Sequence, residues 1–325
     1  MILPRRQFLL LAAGAAALSG ATRTARAQTY PTRPVRIVVG YAPGGGTDIV
    51  ARLIGQWLSE RLGQQFIVEN RAGAGTNIAT EAVVRAPPDG YTLLLATTAN
   101  AVNATLYDRL NFTFMTDIAP VAAIMRVPNV MVVNLSSPAK TVPDFIAYAK
   151  ANPGKINYAS GGAGGPDHMS AELFKMMTGI KMSHVPYRGL SPALTDLLAG
   201  QVDVVFSSFP AAIEYIKGDK LRALAVTTAS RFEGAPEIPT ISDVVPGYES
   251  SQWYGIGIPK DAAAEIVGKL NKEINIALGD PKMQARLADL GGTPLPGSPA
   301  DFAKLIAADT EKWGKMIRAA NIRVG

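Results

Sequence analysis

Apolar residues along the chain alternate between two rhythms. Val35–Gly40, Gln65–Glu69 and Tyr91–Ala96 are short apolar runs that read as buried strands. Between the first two, Ile49, Val50, Leu53, Ile54, Trp57, Leu58 and Leu62 recur at helical spacing, and Gly63 follows as a stop signal. The middle of the chain repeats the plan. Val130–Val133, Ile156–Ala159, Met182–Val185, Val202–Phe206 and Leu221–Val226 read as strands. Thr141–Ala151, Met169–Met177 and Ser191–Ala199 read as helices between them. The last third turns helical. Asp280-Pro281 and Ser298-Pro299-Ala300-Asp301 are helix starts, and Trp313, Met316 and Ile317 continue an apolar stripe. Alternating strands and helices predict an α/β fold with a largely parallel sheet covered on both faces.

Two extended segments interrupt the rhythm. One runs near Ile118–Arg126 into Val127-Pro128-Asn129; the other, Ser250–Ile258, follows the Pro/Gly-rich stretch Pro236–Gly247. Two crossings predict two Rossmann-like lobes joined by a hinge. The first lobe is discontinuous (28–125 plus 250–325), the second is 126–249, and a ligand cleft lies between them.

Composition narrows the function. The chain has 325 residues, enough for two domains, and its 48% hydrophobic content is globular. It has no cysteine, which removes disulfides and thiolate chemistry. Arg5-Arg6, the apolar run Phe8 to Leu18 and Ala25-Arg26-Ala27 form a signal peptide, 1–27, with cleavage expected after Ala27 and export to the periplasm. The run is too short to span a bilayer. Arg5-Arg6 is also compatible with a twin-arginine route, and the sequence leaves that choice open. Four of the basic residues (Arg5, Arg6, Arg23 and Arg26) lie in the leader, so the formal charge of +6 falls to +2 without it. With no dense basic run left, nucleic acid is not an expected partner.

In open sheets of this kind, ligands sit beyond the carboxyl ends of strands. Two glycine-rich loops fall there: Pro43-Gly44-Gly45-Gly46-Thr47-Asp48 and Ser160-Gly161-Gly162-Ala163-Gly164-Gly165-Pro166. Both precede helices, whose N-termini favour anions, so one receptive loop per lobe suits a carboxylate. The glycines could also serve only as tight turns. Asp48 beside an anion site is repulsive; its simpler role is to fix its own loop through backbone N–H groups. Nucleotide motifs fail: Gly46 stands where a P-loop needs Lys, and 71–78 lacks the third glycine of a dinucleotide fingerprint. His168 and His184 are the only histidines. His168 could cap its helix, line the cleft or act as a base; His184 reads as packing. No metal-ligand spacing or Gly-x-Ser-x-Gly elbow occurs, so no metal, cofactor or enzymatic activity is expected.

Several segments together resemble the solute-binding receptors of tripartite tricarboxylate transporters, the Bug family. They are Tyr30–Ile37, Pro43–Asp48, Val68–Gly75 and Pro88–Leu94. In the second lobe they are Tyr158-Ala159-Ser160 with His168, Val185–Gly189 and Gly200–Asp203. The resemblance implies a type II periplasmic-binding-protein fold closing on a small carboxylate: a di- or tricarboxylate, an aromatic acid or an acidic amino acid. It also implies large and small membrane subunits as partners of a monomeric receptor. The implied ligand residues of the first lobe are Ala42, Pro43, Gly44, Gly45, Gly46, Thr47 and Asp48, with Asn70, Thr97, Thr98 and Asn100. In the second lobe they are Ser160, Gly161, Gly162, Gly164, His168, Tyr187, Asp203, Phe206 and Ser207. The sequence departs from the family where Arg188 replaces a frequent Lys and where Ser207 replaces a frequently acidic residue. Other uses of the same architecture are a secreted sensor or interaction module, or an enzyme built on His168.

Overall fold

The computed structural model describes residues 30–232, 234–319 and 322. The expected leader and its cleavage site after Ala27 lie outside the described residues. Strand β1 (Val35–Val39) sits between β2 (Phe66–Asn70) and β3 (Thr92–Thr97), all three parallel. Its valine-rich sequence, almost wholly buried, suits a central strand covered on both faces. Beyond β3 come β9 (Ser251–Pro259) and the long β4 (Ile118–Asn134), paired antiparallel along the first part of β4. The two-residue β10 (Thr293–Pro294) adds to β4.

The far end of β4 belongs to a second sheet. There Asn129 to Val133 pair with β7 (Val204–Ser208) and Val130 to Asn134 with β8 (Leu221–Val226), both antiparallel. β5 (Ile156–Ser160) lies parallel to β7 and to β6 (Met182–Pro186). The expected largely parallel sheet is therefore corrected to a mixed one. A chain that leaves one lobe and later returns does so on two strands of opposite direction, here β4 and β9.

The helices of the first lobe are α1 (Gly46–Leu62), α2 (Asn77–Val84), α3 (Thr98–Leu106) and the short α4 (Phe114–Asp117). The second lobe carries α5 (Val142–Ala151), α6 (Pro166–Thr178), α7 (Leu190–Leu198) and α8 (Phe209–Lys217). The chain ends in α9 (Ala264–Gly279), α10 (Pro281–Asp289) and α11 (Pro299–Ala319). Gly63 ends α1 in the left-handed region, φ 72°, with its N–H on the Ser59 carbonyl. α6 begins earlier than its apolar pattern suggests because Pro166 supplies a preformed first turn.

Each sheet has apolar layers on both faces. Ile37, Ile54, Leu58 and Leu270 pack on one side of the first sheet, and Val38, Trp253, Phe302 and Ile306 on the other. Met131, Phe145, Tyr158, Phe174 and Phe206 cover one side of the second, and Val132, Leu194, Leu197 and Phe209 the other. A further cluster joins the halves: Met169 of α6 meets Val102 and Leu106 of α3 and Trp313 and Ile317 of α11. This is a two-lobed α/β architecture, as expected, with β4 and β9 forming the crossover.

Buried polar groups at the crossover are paired. The Asn129 N–H donates to Thr227 Oγ1 at 2.8 Å, and its Nδ2 to Ser170 Oγ at 2.8 Å. Asn129 Oδ1 accepts from Gln252 Nε2 at 2.7 Å, and Ser170 Oγ lies 2.7 Å from Ser250 Oγ. One asparagine thus ties β4, β9, α6 and the segment after β8 together, and buried groups of this kind hold position because leaving one unpaired is costly.

Candidate functional site

The carboxyl ends of β1, β2 and β5 converge between the lobes, and the lobes touch there. The Ala42 N–H donates to the Arg188 carbonyl at 3.0 Å. Gly189, at φ 136°, lies so close that a Cβ on it would come 2.9 Å from Ala42 Cβ. Farther along, a Cβ on Gly75 would collide with the Ala163 carbonyl. The clamp is closed on two points of backbone contact.

Two cavities lie between the lobes. The larger, about 430 Å³, is lined in the first lobe by Gly40, the segment 72–76, Ile78 and Tyr107, and in the second by Gly161, Gly162, Ala163 and Pro186 to Arg188. The smaller, about 20 Å³, has Tyr41, Gly45, Gly46 and Thr47 on one side and Pro166, Asp167 and Leu190 on the other, with Gln252 and Tyr254 behind. That volume matches a single water molecule. The first N–H groups of α1, on Gly46 and Thr47, border this small cavity and meet no acceptor among the described residues, as expected for a helix start without a side-chain cap. The Tyr41 hydroxyl and Ser208 Oγ are buried nearby without hydrogen-bond partners of good geometry among the described residues.

The segment 73–76 is held in unusual backbone geometry. Gly73, Ala74, Gly75 and Thr76 have φ of 134°, 47°, 59° and 82°. Left-handed Ala and Thr are costly and persist only where surroundings fix them. Here Asn103 Nδ2 donates to the Gly75 carbonyl at 2.7 Å and to Asn77 Oδ1 at 2.8 Å. The N–H groups of Ala74, Gly75 and Ala163 meet no protein acceptor among the described residues.

The glycine loops themselves are largely self-satisfied. Asp48 is a hub: its carboxylate accepts the Gly44 N–H at 3.0 Å, Arg52 in a two-point pair at 2.9 and 3.0 Å, and Asn70 Nδ2 at 3.0 Å. Burial opposes its charge, but Arg52, the Gly44 N–H and Asn70 outweigh it and hold the carboxyl below its ordinary value. Asn70 also donates to the Tyr41 carbonyl at 2.9 Å, so Asp48 and Asn70 anchor the loop. Asp167 repeats the device in the second lobe by accepting the Gly161 N–H. No cation neutralises it among the described residues, and burial pushes its carboxyl up to about 6 despite the backbone donors. The two loops are thus corrected from a matched pair of open anion pockets. Gly44 and Gly161 spend their N–H groups on aspartates, Pro43 and Gly44 lie exposed at the rim, and the segment facing Gly162 and Ala163 is 72–76.

The two histidines brace the loop of the second lobe. His168 Nδ1 accepts the Gly164 N–H at 3.0 Å, and its ring stacks on His184 at 4.1 Å. His184 in turn stacks on Tyr158 at 4.8 Å, and its Nε2 lies 2.6 Å from Ser160 Oγ, which also accepts the Gly162 N–H. Burial lowers both imidazoles, His168 to about 4 and His184 to about 3, so both are neutral at pH 7.

Of the residues expected at the ligand, Gly45, Gly46, Thr47, Gly161, Gly162 and Tyr187 line a cavity. Ala42 forms the lobe contact, and Ser160, Gly164 and His168 brace the loop behind it. Six others have different work. Thr97 and Asn100 cap α3 reciprocally, and Thr98 Oγ1 accepts the Trp253 N–H at 3.0 Å. Asp203 accepts the Asn157 N–H at 2.7 Å before the amino end of β7, while the site lies at the other end. Phe206 is in the core against Phe174, and Ser207 Oγ donates to the next carbonyl. The sequence reading did not place 72–76, Tyr107, Asp167, Arg188 and Tyr254, which line the cavities, among the ligand residues. Gly73 and Gly75 directly after β2 carried a signal for the first of these, because the rule about carboxyl ends of strands applies to β2 as well.

A family model described as the tripartite tricarboxylate transporter family receptor matches residues 50–322. Protein BugT of Bordetella pertussis is 34% identical over 311 residues, covering 95% of both chains. Among solved structures, an R. palustris protein with adipate superposes with a TM-score of 0.89 at 39% identity, covering 90% of this chain and 99% of that one. MatC of Rhodopseudomonas palustris with bound malate gives 0.85 at 30% identity, covering 89% and 100%. The chain belongs to the receptor family of the tripartite tricarboxylate transporters.

Proposed function

We propose that this chain is an extracytoplasmic receptor that closes on a small carboxylated solute and delivers it to the large and small membrane subunits of a tripartite transporter. In this reading the leader is removed after Ala27, and the monomer works in the periplasm as lobes 28–125 plus 250–325 and 126–249. The observation that carries it is the cavity of about 430 Å³ walled on one side by the left-handed segment 72–76 and on the other by Gly161 to Ala163. Backbone N–H groups at Ala74, Gly75 and Ala163 point to a carboxylate as the group recognised, since fixed amides can ligand an anion without a buried cation. The structures solved with adipate and with malate support the same solute class.

The mechanism follows from the two backbone contacts. An open clamp leaves the amides of each lobe in water. A carboxylate touching both sets gains its second set only on closure, and that difference drives the hinge. The small cavity at the start of α1 accepts either an ordered water or one end of the solute. Calorimetric titration with succinate, glutarate, adipate, malate and aromatic acids tests the reading. It predicts saturable binding of at least one carboxylate with a raised melting temperature; no binding and no thermal stabilisation by any of them would refute it.

A further inference from the structure

We propose that the clamp takes up a proton on Asp167 each time it closes on a solute anion, so that binding is linked to protonation. This rests on the receptor reading above and adds a second ligand to it, a proton drawn from solvent. An aspartate fixes the glycine loop of each lobe, but the two differ in what balances their charge. Asp48 has the Arg52 guanidinium at 2.9 Å. Asp167 is 4% exposed and makes no ion pair among the described residues; only the N–H groups of Gly161, of Asp167 itself and of His168 hold it. It also stands between the two cavities. Asp167 lines the small one, and Gly161, whose N–H it accepts, lines the large one. An anion in either therefore arrives beside a buried carboxyl that has no counter-ion. Two carboxylates brought together in one site cannot both stay ionised cheaply, and the more deeply buried one takes the proton.

Closure creates this conflict. Asp167 belongs to the second lobe, whereas Tyr41, Gly46, Thr47 and Tyr254 on the facing wall of the small cavity belong to the first. Burial, and after it the Asp167 charge, raises the Tyr41 hydroxyl; burial also raises that of Tyr254, opposed by Ser208 and aided by Asp167. The carboxyl thus acts across the gap between the lobes. The other titratable groups around it are committed elsewhere. His168 beside it and His184 stacked on His168 are lowered by burial to about 4 and about 3, and both stay neutral. Tyr158 faces it from β5 and donates its hydroxyl to Glu172, which lies 2.6 Å from Lys175. A neutral Asp167 removes the repulsion and leaves the N–H groups of Gly46 and Thr47 free to hold the anion or its bound water.

The test is calorimetry on the full chain with succinate, glutarate, adipate and malate, run in phosphate and in Tris at about pH 7.5, where the difference in heat between buffers counts the protons exchanged. The wild type is expected to take up about one proton per solute, and its affinity to fall on the order of tenfold per pH unit between about 6.5 and 8.5. Asp167→Asn, which keeps an oxygen for the Gly161 N–H, should bind without proton uptake and with an affinity that stays flat over that range. Carbon-13 labelling of the aspartates gives a second readout on the wild type, in which one carboxyl signal should pass from ionised to neutral as solute is added. Solute binding by the wild type without proton uptake, or an uptake and pH slope that persist in Asp167→Asn, overturns the proposal and leaves the receptor reading standing. If the variant does not fold, a set of carboxyl signals that all stay ionised in the wild-type complex overturns it equally. Failure of all four acids to bind overturns both readings.

Discussion

Individual side chains set the character of this cleft by what they withhold. Asp48 and Asp167 fill the loops that a glycine-rich sequence offers to an anion, and in the proposed receptor solute recognition shifts to amides at 74, 75 and 163. Gly75 is the most exposed to test. Any Cβ there meets Ala163, so Gly75→Ala should weaken solute binding by roughly tenfold or more through impaired closure, read by calorimetry. Asp167 gives a pH signature. Its folded value near 6 lies above the ordinary one, so the native state binds the proton more tightly and stability falls as pH rises from about 4 through 6. The melting temperature of Asp167→Asn should therefore gain on the wild type across that window; a difference constant with pH would contradict the assignment. The histidines behave oppositely, since their lowered values make protonation a cost of folding in acid. Neither imidazole should titrate by NMR between pH 5 and 8, and an inflection near 6.5 would show that one is solvated. At this scale the sequence was legible for Asp48, whose distance to Gly44 is local. It was opaque for Thr98 and Phe206, whose partners lie far along the chain or in the core.

The elements were largely readable because their signals are periodic and local. The apolar stripe of α1, the Gly63 stop, and the Pro starts of α10 and α11 needed no tertiary information. The mixed direction of the sheet was not readable, since strand direction depends on which strands become neighbours. The crossover elements depend on Asn129, which uses its N–H, Oδ1 and Nδ2 on three different segments. Asn129→Ala leaves Ser170 and Gln252 without those partners and should cost about 1–3 kcal/mol in chemical denaturation. Loss of the reciprocal cap in Thr97→Ala should cost about 1 kcal/mol and leave solute affinity nearly unchanged, because that pair supports α3 and does not line either cavity. A large loss of affinity in Thr97→Ala would return that turn to the ligand site.

At the scale of the whole molecule, two sheets share one long strand, and the lobes meet through backbone at Ala42 with Arg188 and at Gly75 with Ala163. Met169 packs into the cluster formed by α3 and α11, so the lobes also meet through buried apolar surface. The two-lobed plan was visible in the spacing of the two extended segments, whereas the facing of one loop by another is a property of the closed assembly. The most direct measurement is a crystal structure with a bound dicarboxylate. One carboxylate is predicted within hydrogen-bond distance of the N–H groups of Gly75 and Ala163, in the cavity they share. A solute bound elsewhere, with those amides turned to solvent, would contradict the account.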